Sequence, residues 1–199
     1  MTAPGWDQAY TGEEPAPWDI GRPQPAFVVL AGGGKLSGQV LDAGCGTGEH
    51  VLLAAANGAA DPVGIDISPT AISRARAKAA GRGLAARFEV GDALELDRFE
   101  ASAETIIDSG LFHVFSDEDR ARYVVSLSAA ARHGGYLYLM CFSDRQPGED
   151  GPRRVREEEL RASFSDGWAV ESITPDKFSV GSYFSGGVAE AWLAVIRRL

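Results

Sequence analysis

Three glycines at alternate positions, Gly44, Gly46 and Gly48, constrain the fold of this chain more than any other feature. They follow an apolar run that ends at Leu41, and an alanine-rich stretch over 49–57 comes after them. This order predicts a buried strand, a tight turn and a helix. Glycine suits the turn because a Cβ would block close approach to the backbone and penalise positive φ. The turn therefore brings bare N–H groups to the positive end of a helix dipole, which favours an anionic or hydroxyl-rich ligand.

A second apolar run over 62–65 ends in Asp66, which lies 18 residues beyond Gly48. A carboxylate about 20 positions past a glycine turn, at the end of the next strand, can accept both hydroxyls of a ribose. The alternative is that Asp66 only caps the helix that begins at Ser68-Pro69. The joint occurrence of the turn and the carboxylate favours the ribose role.

The run over 42–48 has the spacing D-x-G-x-G-x-G and departs from the dinucleotide pattern G-x-G-x-x-G. It closely resembles the first motif of class I S-adenosylmethionine-dependent methyltransferases, and the resemblance covers 38–142. The whole chain is similar to the small-molecule type, thiopurine or thiol methyltransferase-like, which includes bacterial heterocyclic-toxin methyltransferases. The resemblance implies a Rossmann-like α/β fold, with a seven-stranded, mostly parallel sheet, an antiparallel edge strand and helices on both faces.

The same resemblance implies S-adenosylmethionine as cofactor and S-adenosylhomocysteine as product. The glycine turn would pass the methionine part and Asp66 would hold the ribose. Asp92, at the end of the third predicted strand, is similar to the family's adenine contact, although Gly-Asp pairs are also common in turns. The residues implied for cofactor binding are Trp18, Asp42, Gly44, Cys45, Gly46, Gly48, Asp66, Ile67, Asp92, Ala93 and Ser109.

Residues 1–38 are predicted to form an N-terminal cap on the methyltransferase domain over 39–199, with both in a single domain overall. Prolines are too dense here for strands or long helices, apart from a short helix over 27–31. A flexible tail is the alternative, but such tails are usually poor in aromatic residues, and this segment contains several. The resemblance implies a lid, with Trp18 over the sulfonium and Arg22 or Gln24 at the mouth.

Strands and helices are predicted to alternate along the remaining chain. The further strands are predicted over 86–90, 104–107, 136–142, 168–173 and 188–196. Helices are predicted to begin near 68, 116 and 157, and Gly134-Gly135 is predicted to end the second of these. The last two strands would form an antiparallel pair at the sheet edge.

The loop after the fourth strand contains the candidate catalytic residues, Asp108 and His113. This loop should lie beside the glycine turn, where the strand order reverses and ligands bind. His113 is the candidate general base, and the alternative is a wall residue of the pocket.

Aromatic and basic side chains could surround the methyl acceptor. The predicted substrate-binding residues are Tyr10, Arg22, Phe27, Phe112, His113 and Phe142. Phenylalanines are more often simply core residues. Two isolated carboxylates, Asp108 and Asp144, are weak grounds for a metal, so no metal site is predicted.

The formal net charge of −9 argues against a nucleic-acid groove and against binding to an anionic membrane surface. The two cysteines, Cys45 and Cys141, are interpreted as reduced thiols. The chain shows neither a secretory leader nor an apolar run of roughly 18 to 20 residues. These features predict a cytoplasmic protein, monomeric or homodimeric, that acts on a small molecule.

The predicted reaction is methyl transfer to a thiol, hydroxyl or ring nitrogen of an aromatic or heterocyclic metabolite or toxin. The short chain leaves little sequence for a macromolecule-binding domain. Three alternatives stay open: a protein or RNA methyltransferase, a non-catalytic cofactor-binding protein, and a dehydrogenase of the same fold class.

Overall fold

The computed structural model describes residues 3–12, 14–99, 103–181 and 186–199, in which strands and helices alternate. The strands are β1 (Gln39–Ala43), β2 (Asp61–Asp66), β3 (Arg87–Val90), β4 (Ala103–Ser109), β5 (Ala131–Phe142), β6 (Trp168–Ser179) and β7 (Val188–Arg198). The helices are α1 (Ala3–Thr11), α2 (Pro25–Gly32), α3 (Glu49–Ala56), α4 (Pro69–Arg82), α5 (Asp117–Ala130) and α6 (Glu157–Ser163). Two 3-10 segments, Ala93–Phe99 and Phe112–Val114, follow β3 and β4. Within these ranges, no helix is both long and apolar enough to cross a membrane.

All seven strands join one sheet in the order β3-β2-β1-β4-β5-β7-β6. Strand β1 pairs in parallel with β2 on one side and β4 on the other, so the strand order reverses beside β1. Strand β7 is antiparallel to both β5 and β6. The predicted fold class is therefore confirmed, and the antiparallel strand lies one position in from the edge, which β6 occupies.

Two apolar clusters cover the two faces of the sheet. Leu139 and Cys141 of β5 belong to the cluster that contains α5 and α6 residues, whereas Met140 and Phe142 belong to the cluster with α2 and α3 residues. Successive residues of a strand point to opposite faces, so these clusters lie on opposite sides. The sheet is thus buried on both faces, as expected for parallel strands with crossover helices.

Two predicted substrate-binding residues lie in these clusters. Phe27 is fully buried on α2, where its ring meets His50 edge-on at 4.7 Å between ring centroids. Phe112 is fully buried against Phe164, and the Arg120 guanidinium lies over its ring. These placements favour a core role for both rings, and their contact with substrate stays a prediction.

Helix α5 ends at Ala130 and β5 begins at the next residue, five positions before the predicted strand. The glycines that were predicted to end the helix instead lie inside the strand. A Cβ on Gly135 would lie 3.0 Å from the carbonyl oxygen of Ala103. Glycine therefore lets the start of β5 approach β4 closely.

The cap contains two helices, of which α2 was predicted and α1 was not. Helix α1 contains Pro4 in its first turn, where a missing N–H costs nothing. Helix α2 likewise begins with a proline, Pro25, at a position where the backbone N–H would have no partner within the helix. Because α2 packs in the core, the described part of the cap that lies over the sheet edge is residues 3–12 and 14–24.

Candidate cofactor and acceptor site

The glycine turn links β1 to α3 at the carboxyl edge of the sheet. Gly44, Gly46 and Gly48 all have positive φ, at 70°, 52° and 87°. A Cβ on Gly48 would lie 2.6 Å from the Phe88 ring and 2.9 Å from Cβ of Ala75. Both the conformation and the packing therefore require glycine at this position.

Asp66, at the end of β2, holds this turn in place. Its Oδ2 accepts a 2.8 Å hydrogen bond from the Gly46 N–H, and its Oδ1 accepts a 2.9 Å bond from the Ser68 N–H. Burial raises the pKa of the carboxyl group, and these two bonds oppose that effect. Ser68 itself caps α4 by accepting from the Ala71 N–H. Each carboxylate oxygen keeps a further acceptor position, so the ribose role stays a prediction.

Asp42 is the most unusual polar group at this edge. Its side chain is 1% exposed, and neither carboxylate oxygen has a hydrogen-bond partner among the described residues. The nearest basic group, Nδ1 of His50, lies 3.9 Å from Oδ2. Burial raises the pKa of Asp42 well above its usual range, and the neighbouring Asp108 and Asp66 add to this effect. An unpartnered buried carboxylate is costly, so this residue fits a ligand that carries a donor or a positive charge.

The remaining predicted cofactor residues lie at the same edge. Asp92 accepts from the Leu94 N–H at 2.9 Å, so the turn role is observed and the adenine contact stays a prediction. Cys45 is buried within the turn, and its N–H donates to the Ile65 carbonyl. Ala93 is buried, whereas Ile67 and Ser109 are half-buried.

Residues of the cap bind the glycine turn directly. Trp18 donates its indole N–H to the hydroxyl of Tyr10 at 2.8 Å. Tyr10 is buried, and its Oη lies 3.0 Å from the place a Cβ on Gly46 would take. Asp19 accepts a 2.8 Å bond from the Thr47 hydroxyl. Tyr10 thus lies on the turn, while Trp18 lies further out and is 38% exposed.

Helix α1 is attached to the start of α4. The Asp7 carboxylate accepts from the Ser68 hydroxyl at 2.6 Å and from the Thr70 N–H at 2.9 Å. These bonds lower the pKa of Asp7, the Ser68 bond having the larger effect. The cap is therefore docked over both sides of the predicted cofactor pocket.

A crevice of about 790 Å³ lies between the cap, the glycine turn, α4 and the end of β6. Arg22, which was predicted to lie at the mouth, lines this crevice. The other lining residues are Pro15, Asp19, Ile20, Gly21, Thr47, Arg74, Lys78, Ser179, Gly181, Gly186, Gly187 and Val188. The charged side chains in this lining are three basic ones and the carboxylate of Asp19, and Lys78 is paired with Glu49.

His113 packs against the carboxyl ends of β5 and β6, which are separated in the sheet by β7. Its Nδ1 accepts a 2.9 Å hydrogen bond from the backbone N–H of Phe142, and the ring packs on Phe142 and Phe178. Burial lowers the pKa of His113 to about 3, with Arg120 and Arg154 adding to the effect. Since Nδ1 is occupied and the ring is neutral, this geometry does not support the predicted general base and favours a wall residue.

Asp108 lies beneath the loop that precedes His113. Its carboxylate accepts from the N–H groups of Leu111 and Phe112 and from the hydroxyl of Tyr123. The group is fully buried, and burial raises its pKa to about 7. These contacts favour a loop-positioning role over the predicted catalytic role. Among the described residues, no three side chains of metal-ligating type come together.

Two residues at this site were not singled out by sequence reasoning, His50 and Tyr123. Nε2 of His50 accepts from the Gln24 N–H at 3.1 Å, which links the cap to the helix after the glycine turn. Both residues lie on helices, and their sequence positions are typical of ordinary core or helix-surface residues. No local pattern indicates their polar contacts, because the partners are distant in sequence.

Comparisons with known proteins agree with this arrangement. Residues 40–135 match the family model described as a methyltransferase domain. The chain is 38% identical to the 2-heptyl-1-hydroxyquinolin-4(1H)-one methyltransferase of Mycobacteroides abscessus, over 93% of this chain and 86% of that protein. It is 29% identical to probable thiol methyltransferase 2 of Arabidopsis thaliana, over 89% of this chain and 79% of that protein.

A solved structure also covers nearly the whole chain. It was reported for the conversion of a disulfide bond into a thioacetal group during echinomycin biosynthesis, and it is 39% identical with a TM-score of 0.89. The match includes 99% of this chain and 93% of that one, so the cap is part of the shared fold. From its glycine turn, sheet order and relatives, the chain belongs to the class I S-adenosylmethionine-dependent methyltransferase family.

Proposed function

We propose that this methyltransferase acts on a small aromatic or heterocyclic molecule, at a thiol, hydroxyl or ring nitrogen. The observation that carries the proposal is the docked cap, which borders a crevice of about 790 Å³ that reaches from Thr47 of the glycine turn to Ser179 at the end of β6. Pockets for small molecules commonly have volumes of roughly 300–1,000 Å³. The acceptors named for two relatives, a hydroxyquinolone and a thiol, belong to this class.

The bound cofactor supplies a methyl group on a sulfonium, which is already activated for in-line displacement. The protein mainly has to bind both reactants in line, and such positioning supplies roughly 7–11 kcal/mol in favourable intramolecular reactions. Asp66 and the glycine turn would hold the nucleoside, and the unpartnered Asp42 would hold a positively charged part. The cap would exclude water from the reacting atoms.

We further propose that the protein acts in the cytoplasm, as a monomer or homodimer. Both cysteines are free and buried, which suits a reducing compartment. The net charge of −9 disfavours nucleic-acid substrates.

A panel of acceptors tests the proposed reaction. Purified protein would be incubated with S-adenosylmethionine and N-hydroxyquinolones, phenols, thiophenols or mercapto-heterocycles, with S-adenosylhomocysteine release and product mass as readouts. We expect one or more of these classes to be methylated. Transfer of labelled methyl to cell proteins, with no small-molecule product, would instead support a protein methyltransferase.

A further inference from the structure

The position of the hydrogen on His113 follows from one backbone contact. The Phe142 N–H donates to Nδ1 of the ring at 2.9 Å, so Nδ1 contributes its lone pair. A neutral imidazole carries a hydrogen on one nitrogen, which must here be Nε2. The ring therefore presents an N–H group at Nε2, where a general base would need a lone pair.

The Nε2 atom lies at the carboxyl edge of the sheet. A Cβ on Gly110 would lie 3.4 Å from Nε2 and 3.1 Å from the Phe178 ring. Gly110, with φ at 89°, follows directly after β4, and Phe178 lies near the carboxyl end of β6. Nε2 makes no hydrogen bond with any described residue, and 4% of the His113 side chain stays accessible. The N–H therefore lies against Gly110, where the absence of a Cβ keeps this side of the ring free of a neighbouring side chain.

The charged groups that act on the ring keep it neutral. Arg120 from α5 and Arg154 from the loop after β5 both lower its pKa, after burial. From β6 the ring meets the phenyl group of Phe178. The nearby carboxylate of Asp108 is bound by two loop N–H groups and by Tyr123. None of these charged groups stabilises the protonated, cationic form of His113.

The other ionisable groups described at this edge are also poorly placed to take a proton from an acceptor. The Tyr10 hydroxyl accepts from Trp18, and burial raises its pKa. Asp66 is bound by two backbone N–H groups. Asp42 is 1% exposed at the base of the turn. None of these three groups therefore offers the acceptor an available base, whereas His113 offers it a donor.

We propose that His113 binds the methyl acceptor through its Nε2–H, and that the enzyme selects acceptors that have already lost their proton to water. This inference rests on the proposed function and narrows its substrate class to acidic thiols, N-hydroxy heterocycles and mercapto-heterocycles. In the transfer step, the acceptor anion forms its bond to the methyl carbon while the sulfur–carbon bond breaks. The sulfonium takes that electron pair and becomes a neutral thioether, and the proton has left to solvent beforehand.

The change in charge on the acceptor indicates whether the His113 donor affects acceptor binding or the chemical step. The acceptor loses negative charge as the methyl bond forms, so a donor at His113 stabilises the bound anion at least as much as the transition state. Removing the donor therefore weakens acceptor binding and leaves the chemical step nearly unchanged. Hydrogen bonds to charged groups correspond to roughly tenfold to hundredfold in binding.

Two substitutions at His113 test this role. The variant His113→Gln can keep an amide N–H near the place of Nε2, whereas His113→Phe keeps a ring and removes the donor. We expect His113→Phe to raise KM for the acceptor about tenfold to hundredfold with kcat within about threefold, and His113→Gln to stay within about fivefold of wild type for both. His133→Gln, which changes an exposed histidine, is the matched control. Unchanged affinity for S-adenosylhomocysteine by calorimetry would establish that each variant is folded.

The pH dependence separates a donor from a base. For a series of acceptors, the inflection of kcat/KM should follow the pKa of each free acceptor, in both wild type and His113→Phe. A loss of kcat of a hundredfold or more in both His113 variants, with an inflection that stays fixed across the series, would overturn the inference.

Nitrogen-15 NMR of histidine-labelled protein reports which ring nitrogen of His113 carries the hydrogen, and it requires no catalytic activity. The three histidines can be assigned with the variants above. We expect His113 to carry its proton on Nε2 from pH 5 to 9, and a proton on Nδ1 would refute the inference. If wild type methylates no acceptor in the panel, the proposed function fails, and the NMR result still decides the state of His113.

Discussion

The side-chain amide of Gln24 makes two hydrogen bonds with the backbone of Ser179. Its Nε2 donates to the Ser179 carbonyl and its Oε1 accepts from the Ser179 N–H, both at 2.8 Å. Gln24 is 3% exposed, so both bonds are shielded from water. The pair joins the end of the cap to the end of β6, next to Phe178 in the proposed acceptor site.

Replacing Gln24 by alanine should detach the cap from β6. The change leaves a buried N–H and a buried carbonyl without partners, which costs roughly 1–3 kcal/mol for each group. We expect the free energy of unfolding, measured in urea, to fall by about 2 kcal/mol or more. Affinity for S-adenosylhomocysteine should also fall. The exposed Gln8→Ala, also in the cap, should change neither quantity, and an equal effect of both variants would contradict the role of this pair.

Asp42→Asn should stabilise the protein in the absence of cofactor and weaken cofactor binding. The amide replaces a buried carboxyl group that has no hydrogen-bond partner among the described residues and whose ionisation burial disfavours. We expect a higher melting temperature without cofactor, and at least a tenfold loss of affinity for S-adenosylmethionine by calorimetry. Unchanged affinity would show that the carboxylate does not contact the cofactor.

Asp108 should make stability depend on pH. Its pKa is raised from 3.8 to about 7, so the folded state resists ionisation. Its contribution is most favourable below about pH 4 and is lost as pH rises to about 7, by an amount on the order of 4 kcal/mol. Asp108→Asn should reduce the fall in unfolding free energy across this window, while the raised pKa values of Asp42 and Asp66 leave a smaller slope. The exposed Asp166→Asn should leave the wild-type slope unchanged, and a wild-type slope that persists in Asp108→Asn would contradict the assignment.

Gly48→Ala should destabilise the protein far more than Gly58→Ala. Both glycines have φ near 86°, at 87° and 85°, so both substitutions carry a similar backbone cost of roughly 1–2 kcal/mol. A Cβ on Gly48 would also meet Phe88 at 2.6 Å, whereas one on Gly58 would meet nothing within 4 Å. We expect an additional loss of about 1–3 kcal/mol for Gly48→Ala in denaturant unfolding. Equal losses would mean that the turn has room for a side chain.

The sheet and the glycine turn could be predicted because their signals are local. Apolar runs separated by turn residues indicate the strands, and the turn needs glycines at fixed positions such as Gly48. Helix starts at Ser68 and Ser116 also follow from short patterns, and both serines cap their helices as predicted.

The contacts of the site could not be predicted, because each depends on partners far along the chain. The hydrogen on His113 is set by the backbone of Phe142, 29 residues later. Phe27 and Phe112 have the residue type of a pocket wall, but residue type does not distinguish a wall from the core. The attachment of Asp7 to the start of α4 crosses more than 60 residues.

The position of β7 has a consequence for protein synthesis. Strand β6 joins the sheet by pairing with β7, which is made after it and pairs with β5 on its other side. On the ribosome, β1 to β5 can assemble while β6 still lacks its neighbour. Phe178 and Ser179 pair with Ala189 and Val188, so they gain their sheet neighbours only after the start of β7 has emerged, and a nascent chain completes its nucleoside half before its acceptor half.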